Sequence, residues 1–280
     1  MVSVTLTTDW GTDGIYASAF KACVLRAVPG VQLIDVTHQI PPLDPFKAAH
    51  ALKYTYHFFA PKTIHVISVG GDVGEKNTLN EREFICFEYN KQFFIGPNNG
   101  IWEMMFNEVP QDVYLLKKSN DQNQFFAFPE LDVYMQAITA ISLDKELQSI
   151  GEKVPCKLGR MVSLPVRHTD SIIGIIQYFD NYGNVITNIS KEIFEECAKG
   201  REFRIMIGSQ KTNYVTDYIA KDYSEGDSSK ILALFSFNGF LEICIPDGML
   251  SKHLSIAKQT NVLVQFYNEG EVRDELFTLI

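Results

Sequence analysis

The chain has 280 residues, 46% of them hydrophobic, and a formal net charge of -9 at pH 7. That length buries a sizeable core and suits one large domain or two smaller ones, while the negative charge, uninterrupted by any Lys/Arg cluster, argues against nucleic acid as a partner. No apolar run approaches the roughly 20 residues that span a bilayer, and the scattered cysteines (Cys23, Cys86, Cys156, Cys197, Cys244) never fall as Cys-x-x-Cys, so neither a disulfide framework nor a zinc site is expected.

The start, Met1-Val2-Ser3-Val4-Thr5-Leu6, has neither the basic opening nor the apolar segment of a signal peptide, so a soluble cytoplasmic protein is expected. Val2 to Leu6 reads as a strand. Polar Thr8-Asp9-Trp10-Gly11-Thr12-Asp13-Gly14 follows, then a helix from Ile15 to Ala27. Val31 to Val36 is a second strand, Asp44 to Phe58 a second helix, and Thr63 to Val69 a third strand that ends in Gly70-Gly71-Asp72-Val73-Gly74. Phe84 to Tyr89 and Gln92 to Gly96 form a hairpin around Asn90-Lys91, and Asp132 to Leu143 is another helix. Strands alternating with helices predict a mixed, largely parallel sheet covered by helices on both faces.

After Gly151 the pattern changes. Pro155, Gly159 and Pro165 punctuate an irregular stretch. Beyond it, strands are expected at Ser171–Tyr178, Glu202–Ile207, Ile231–Phe235, Phe240–Ile245 and Asn261–Tyr267, with one short helix at Lys191–Ala198. The fold class is therefore α/β: an N-terminal domain over residues 1–160 and a smaller, antiparallel β-barrel-like domain over 161–280.

In open α/β sheets ligands sit beyond the carboxyl ends of strands. Asp9 lies there, before a helix, where its carboxylate can accept from both hydroxyls of a ribose or simply cap the helix. Pro97-Asn98-Asn99-Gly100 reads as a ligand loop or as an ordinary turn. Asp180-Asn181-Tyr182-Gly183-Asn184 offers a carboxylate for an ammonium and an amide for a purine edge, where a plain hairpin turn would also serve. Ser236-Phe237-Asn238-Gly239-Phe240-Leu241-Glu242-Ile243 is either a donor-rich loop or a strand entered through a turn.

Taken in order, Thr8-Asp9-Trp10-Gly11, Asp35-Val36-Thr37-His38-Gln39-Ile40, Thr63-Ile64-His65-Val66, Pro97-Asn98-Asn99-Gly100, Asp180 to Ile189 and Ser236 to Ile243 resemble the S-adenosylmethionine (SAM) hydroxide adenosyltransferases and their chlorinase/fluorinase relatives. The resemblance implies a homotrimer with SAM sites between subunits. It places Asp9 on the ribose diol, Asp180 on the methionine ammonium, Asn184 near the adenine, Asn98 in the substrate pocket, and Phe237 and Asn238 at the methionine end. His38 and His65 belong to matching stretches and are read as structural. No cofactor or metal is implied, since SAM itself is substrate or ligand.

The resemblance fails at the water-handling set. Family hydrolases carry an Asp, an Arg and a His, whose places are filled here by Gly70, Asn77 and Asp121. The Tyr and Ser pattern of the halogenases is missing too, with Val73 and Gln122 in place of its Thr and Ser. Halide transfer is therefore disfavoured. Asp72 and Asp121 are the substitute catalytic candidates, with Glu75 and Arg82 nearby in sequence. Two functions follow: hydrolysis of SAM to adenosine and L-methionine by attack of water at the ribose C5′, or non-catalytic binding and sensing of SAM or another adenosyl compound.

Overall fold

Val4 and Leu6 alternate with threonines in the first strand, β1 (Ser3–Thr8), which is buried from Val4 onward, as a central strand covered on both faces must be. The structure is a computed structural model that describes residues 2–70, 83–106, 108–117, 128–158, 164–208, 214–227, 230–253 and 256–268. Two compact units, Met1–Val162 and Ser163–Ile280, divide the chain.

In the first unit β1 leads to α1 (Ile15–Ala27), which buries Ala17, Phe20 and Val24 along one stripe. The edge strand β2 (Gln32–Thr37) follows. Asp44 then caps α2 (Pro45–Lys53), its side chain accepting from the Lys47 amide at 2.9 Å, with proline at the start of the helix. This helix stops short of the expected Phe58. Thr55 Oγ1 donates back to the carbonyls of Ala51 and Leu52, and the chain tightens into a 3-10 turn at Tyr56–Phe58.

The fully buried β3 (Ile64–Ser68) comes next. β4 (Phe84–Tyr89) and β5 (Gln92–Pro97) form the expected hairpin, with Asn90 and Lys91 both at positive φ (50 and 62), as a two-residue turn demands. α3 (Ile101–Phe106), β6 (Tyr114–Leu116), α4 (Glu130–Ser142) and β7 (Gly151–Lys153) complete the unit.

The sheet order is β2-β1-β3-β5-β4-β6-β7. Neighbours are parallel from β2 to β5 and antiparallel beyond. One core joins Val4, Leu6, Ile64 and Val66 to Phe20, Val24 and Tyr134 of α1 and α4. The opposite one joins Ile67, Phe87 and Phe94 to Leu52 and Trp102 of α2 and α3. The chain passes from β1 outward to β2 and then returns to β3 on the other side of β1, so the β1 and β3 carboxyl ends flank a topological switch point.

The second unit is built from β8 (Val166–Arg167), β9 (Ser171–Phe179), β10 (Val185–Ser190), α5 (Lys191–Ala198), β11 (Glu202–Ile207), β12 (Tyr214–Thr216), β13 (Ile219–Ala220), β14 (Leu232–Phe235), β15 (Phe240–Cys244), α6 (Leu250–His253) and β16 (Asn261–Tyr267). Its main sheet runs β12-β11-β16-β9-β10-β15-β14-β13, with β8 on β9. Cα atoms of β12 and β14 come within 8 Å, which nearly closes the barrel. Ile172, Val185, Ile205, Leu241 and Val264 fill the interior. The barrel is mixed rather than wholly antiparallel, because β13 and β14 run parallel. The intervening chain, with its 3-10 turn at Tyr223–Glu225, is long enough to carry β14 back in the same direction.

Candidate functional site

Asp9 follows the last residue of β1 at the switch point. Its amide donates to the Ser68 carbonyl at 3.2 Å, and its Oδ2 accepts from the Gly70 amide at 2.8 Å. The end of β1 is thereby fastened to the end of β3, with the carboxylate held between them. Glu130, in the first turn of α4, is buried with its Oε1 3.5 Å from Oγ of Ser68, the residue whose carbonyl holds the Asp9 amide. Glu130 had no role in the sequence, where the helix was expected only from Asp132; α4 begins two residues earlier and takes this acid into its first turn.

His38 braces this loop. Its Nδ1 lies 2.7 Å from Thr8 Oγ1, which also accepts from the Trp10 amide at 3.3 Å, and its carbonyl accepts from the Gly11 amide at 2.8 Å. The Trp10 ring stacks on the imidazole at 6.2 Å. Nε2 lies 3.1 Å from Asp35 Oδ1, close enough for an electrostatic contact, although the N–H is not aligned with the oxygen. Burial holds the His38 pKa below the ordinary histidine value, against the opposing pull of Asp35. His65 pairs with Thr5 through Nδ1 at 2.7 Å and with Gln92 Oε1 through Nε2 at 3.1 Å.

Asn98 is buried and ties loops together. Nδ2 donates to Glu83 Oε2 at 2.9 Å and to the Pro155 carbonyl at 3.3 Å, while Oδ1 accepts from the Lys157 amide at 2.8 Å. In this geometry its side chain serves the protein on both sides of the amide. Gly70 contributes its amide to Asp9. Asp72, Asn77 and Asp121 lie outside the described residues.

In the second unit Asp180 organises its own turn. Oδ1 accepts from the Tyr182 and Asn184 amides at 2.9 and 2.8 Å, and Oδ2 accepts from Asn184 Nδ2 at 3.1 Å. Gly183 sits at φ 80, and a Cβ there would meet Ser251 Oγ at 2.9 Å, so the turn requires glycine. Asn184 Nδ2 also donates to Glu242 Oε1 at 2.9 Å, as does the Tyr223 hydroxyl at 2.8 Å. Glu242 is 3% exposed. Burial raises its pKa, Asp180 adds to the rise, and the bonds from Tyr223 and Asn184 oppose it.

Asn238 joins the same cluster through a side-chain hydrogen bond with Tyr178, whose phenol burial pushes up to about 12. Asn238 Oδ1 is braced by Ser236 Oγ at 2.5 Å and by the Phe240 amide at 3.3 Å. Phe237 stands 81% exposed at the tip of this turn. The structure thus gathers Asp180 and Asn184 at a carboxylate to which the sequence reading gave no role, with Asn238 bonded to Tyr178. A lone acid within the apolar run Phe240-Leu241-Glu242-Ile243-Cys244 was the available signal, since a buried charge needs dedicated partners.

Among the described residues no group of three or more His, Cys, Asp or Glu is arranged to hold a metal ion, and no helix is long and apolar enough to cross a membrane.

The chain thus joins an α/β unit with a carboxylate at its switch point to a near-closed barrel bearing an Asp-Asn-Glu cluster. Residues 4–151 match the SAM hydroxide adenosyltransferase N-terminal domain and residues 174–263 the C-terminal domain, so the chain belongs to the SAM hydroxide adenosyltransferase family. It is 26% identical over 249 residues to a protein of Methanocaldococcus jannaschii named (R)-S-adenosyl-L-methionine hydrolase, covering 86% of this chain and 87% of that one. A Thermus thermophilus protein of the same name is 24% identical over 191 residues, 65% of this chain and 72% of its own. In fold it is similar to the crystal structure of an uncharacterized conserved protein from Thermotoga maritima (TM-score 0.78, 24% identity, 94% of this chain and 100% of that chain). It is also similar to that of a conserved hypothetical protein from Thermus thermophilus (TM-score 0.71, 22% identity, 95% and 100%).

Proposed function

We propose that this chain binds SAM and hydrolyses it to adenosine and L-methionine. A water oxygen attacks the ribose C5′ as the C5′–S bond breaks, the bonding pair leaves with the methionine sulfur, and one proton is released. A sulfonium leaves readily, so the protein's contribution is alignment of oxygen, carbon and sulfur and replacement of bulk water by fixed groups. In this reading Asp9 holds the ribose diol, Asp180 receives the methionine ammonium, Asn184 contacts the adenine, Phe237 and Asn238 border the methionine, and Asp72 and Asp121 handle the water. Asn98 shapes the pocket by fastening the loops around it. The observation that carries the reading is Asp9 itself, held at the switch point by the Gly70 amide in a chain of this family.

The second reading is a SAM-binding protein without turnover. It is favoured by Gly70, which brings no side chain where family hydrolases have an aspartate. The assembly drawn from the family resemblance is a homotrimer with its sites between subunits, measurable by light scattering.

Purified protein incubated with SAM in halide-free buffer, with chromatography for adenosine and methionine and Asp9→Ala as control, separates these readings. Both products from the wild type, abolished in the variant, establish hydrolysis. Saturable SAM binding without products, weakened by Asp9→Ala, establishes the binding protein. Absence of both ends the SAM assignment.

A further inference from the structure

Asparagine amides usually leave their oxygen and nitrogen interchangeable, but Asn184 is held by two carboxylates. Both Nδ2 hydrogens are engaged, one by Asp180 Oδ2 at 3.1 Å and the other by Glu242 Oε1 at 2.9 Å. A flipped amide would set its carbonyl oxygen against both acidic groups. Oδ1 therefore faces the other way. No described residue donates to it, and it is not among the polar atoms shut away from solvent without a partner.

Glu242 is itself well placed to hold this orientation. It lies on β15 in register with Ile186 of β10 and Leu234 of β14, and the Tyr223 hydroxyl fastens its Oε1.

We propose that Glu242 is a positioning residue that sets base specificity: by taking the second Asn184 hydrogen it leaves a carbonyl acceptor as that residue's offering to a ligand, so the site selects a 6-aminopurine nucleoside over its 6-oxo counterpart. The inference rests on the reading of Asn184 as the adenine contact. On a 9-substituted adenine the ring-system N–H donor is the 6-amino group, and a 6-oxopurine puts an acceptor at that place. Asn184 Nδ2 has no hydrogen left for N7, so the discrimination runs through this single contact.

The test is calorimetric binding of SAM and of its 6-oxo analogue, with hypoxanthine replacing adenine, to wild type, Glu242→Gln and Tyr223→Phe. The wild type is expected to favour SAM by about 10- to 100-fold, the range for exchanging a hydrogen bond for a buried unpaired acceptor. Glu242→Gln, whose amide offers Asn184 a donor as well as an acceptor, is expected to lower that ratio about tenfold. Tyr223→Phe leaves the carboxylate on Asn184 and is expected to keep the ratio. A ratio unchanged in Glu242→Gln, with both affinities falling together, overturns the proposal, because a structural defect alone weakens both ligands alike. A wild type that binds both ligands equally overturns it without any variant, while SAM binding itself stands. A wild type that binds neither removes the proposal together with the reading beneath it.

Discussion

Lowering the pH from 7 toward 5 loads the N-terminal sheet at one identifiable place, the imidazole of His65. Gln92 Nε2 donates to the carbonyls of Tyr56, Phe59 and Ala60, which leaves Gln92 Oε1 as the acceptor facing His65 Nε2. The imidazole therefore carries its hydrogen on Nε2 and receives the Thr5 hydroxyl on Nδ1. Its ring stacks on Phe94 at 4.9 Å and is fully buried. Burial pushes its pKa from 6.5 down to about 4, against a smaller upward pull from Gln92. Below pH 6.5 the unfolded chain takes up a proton that the folded one refuses. Stability is thus complete above about 6.5, falls as the pH drops toward 4, and levels off below that. A gap of about 2.5 pH units at about 1.4 kcal/mol each gives a loss of at most about 3.5 kcal/mol, roughly 2 of it by pH 5. His50, also pushed down to about 4 by burial, adds a loss of the same sign over the same window. Urea titrations at pH 7, 6 and 5 should show this fall, and NMR of the His65 ring should show a protonation midpoint near pH 4. A His65 midpoint near 6.5, or stability that is flat between pH 7 and 5, would refute the argument.

Gly183→Ala forces an L-residue to φ 80 and sets a Cβ 2.9 Å from Ser251 Oγ and 3.1 Å from Met249 Cβ. The expected cost is about 1–3 kcal/mol in denaturant unfolding, with weakened SAM binding as the Asp180 turn shifts. Gly96→Ala brings a Cβ to 2.6 Å from Trp102 Cζ2 and 2.8 Å from the Ile67 carbonyl. Overpacking there should cost about 1–3 kcal/mol, seen as a lower unfolding midpoint. The Cys86 thiol, fully buried and with its pKa pushed up by burial, should resist alkylation in the native protein and react once urea is added. Chelators should leave SAM binding unchanged in calorimetry, since the proposed contacts are carboxylates and amides.

Periodicity made much of the fold legible. α1, α5, β11 and β16 lie where apolar spacing put them, because each buries one face and leaves the other wet. α3 was not legible. Ile101, Trp102, Met104 and Met105 are all buried, so no amphipathic stripe marks it as a helix. The barrel's strands were readable singly, but the parallel β13–β14 pair depends on a connection whose route no local pattern encodes. At the site, Asp9 and Asp180 stand out as acids in turns after strands. Glu242 does not, because its role follows from which neighbours the barrel brings to it.

The histidines beside β1 bear on how accurately Asp9 is placed. Alternating apolar residues decide which face of a strand points inward, yet a slide by two residues, about 6.6 Å along the strand, would restore the same faces. Ser3 or Thr7 could re-form the Thr5–His65 bond after such a slide, but Thr8 bonded to His38 on the other flank has no equivalent two positions away, where Leu6 and Trp10 carry no hydroxyl. The Thr8–His38 pair acts as a vernier on the central strand, setting the depth of the carboxylate at its tip where hydrophobic packing alone would tolerate a choice.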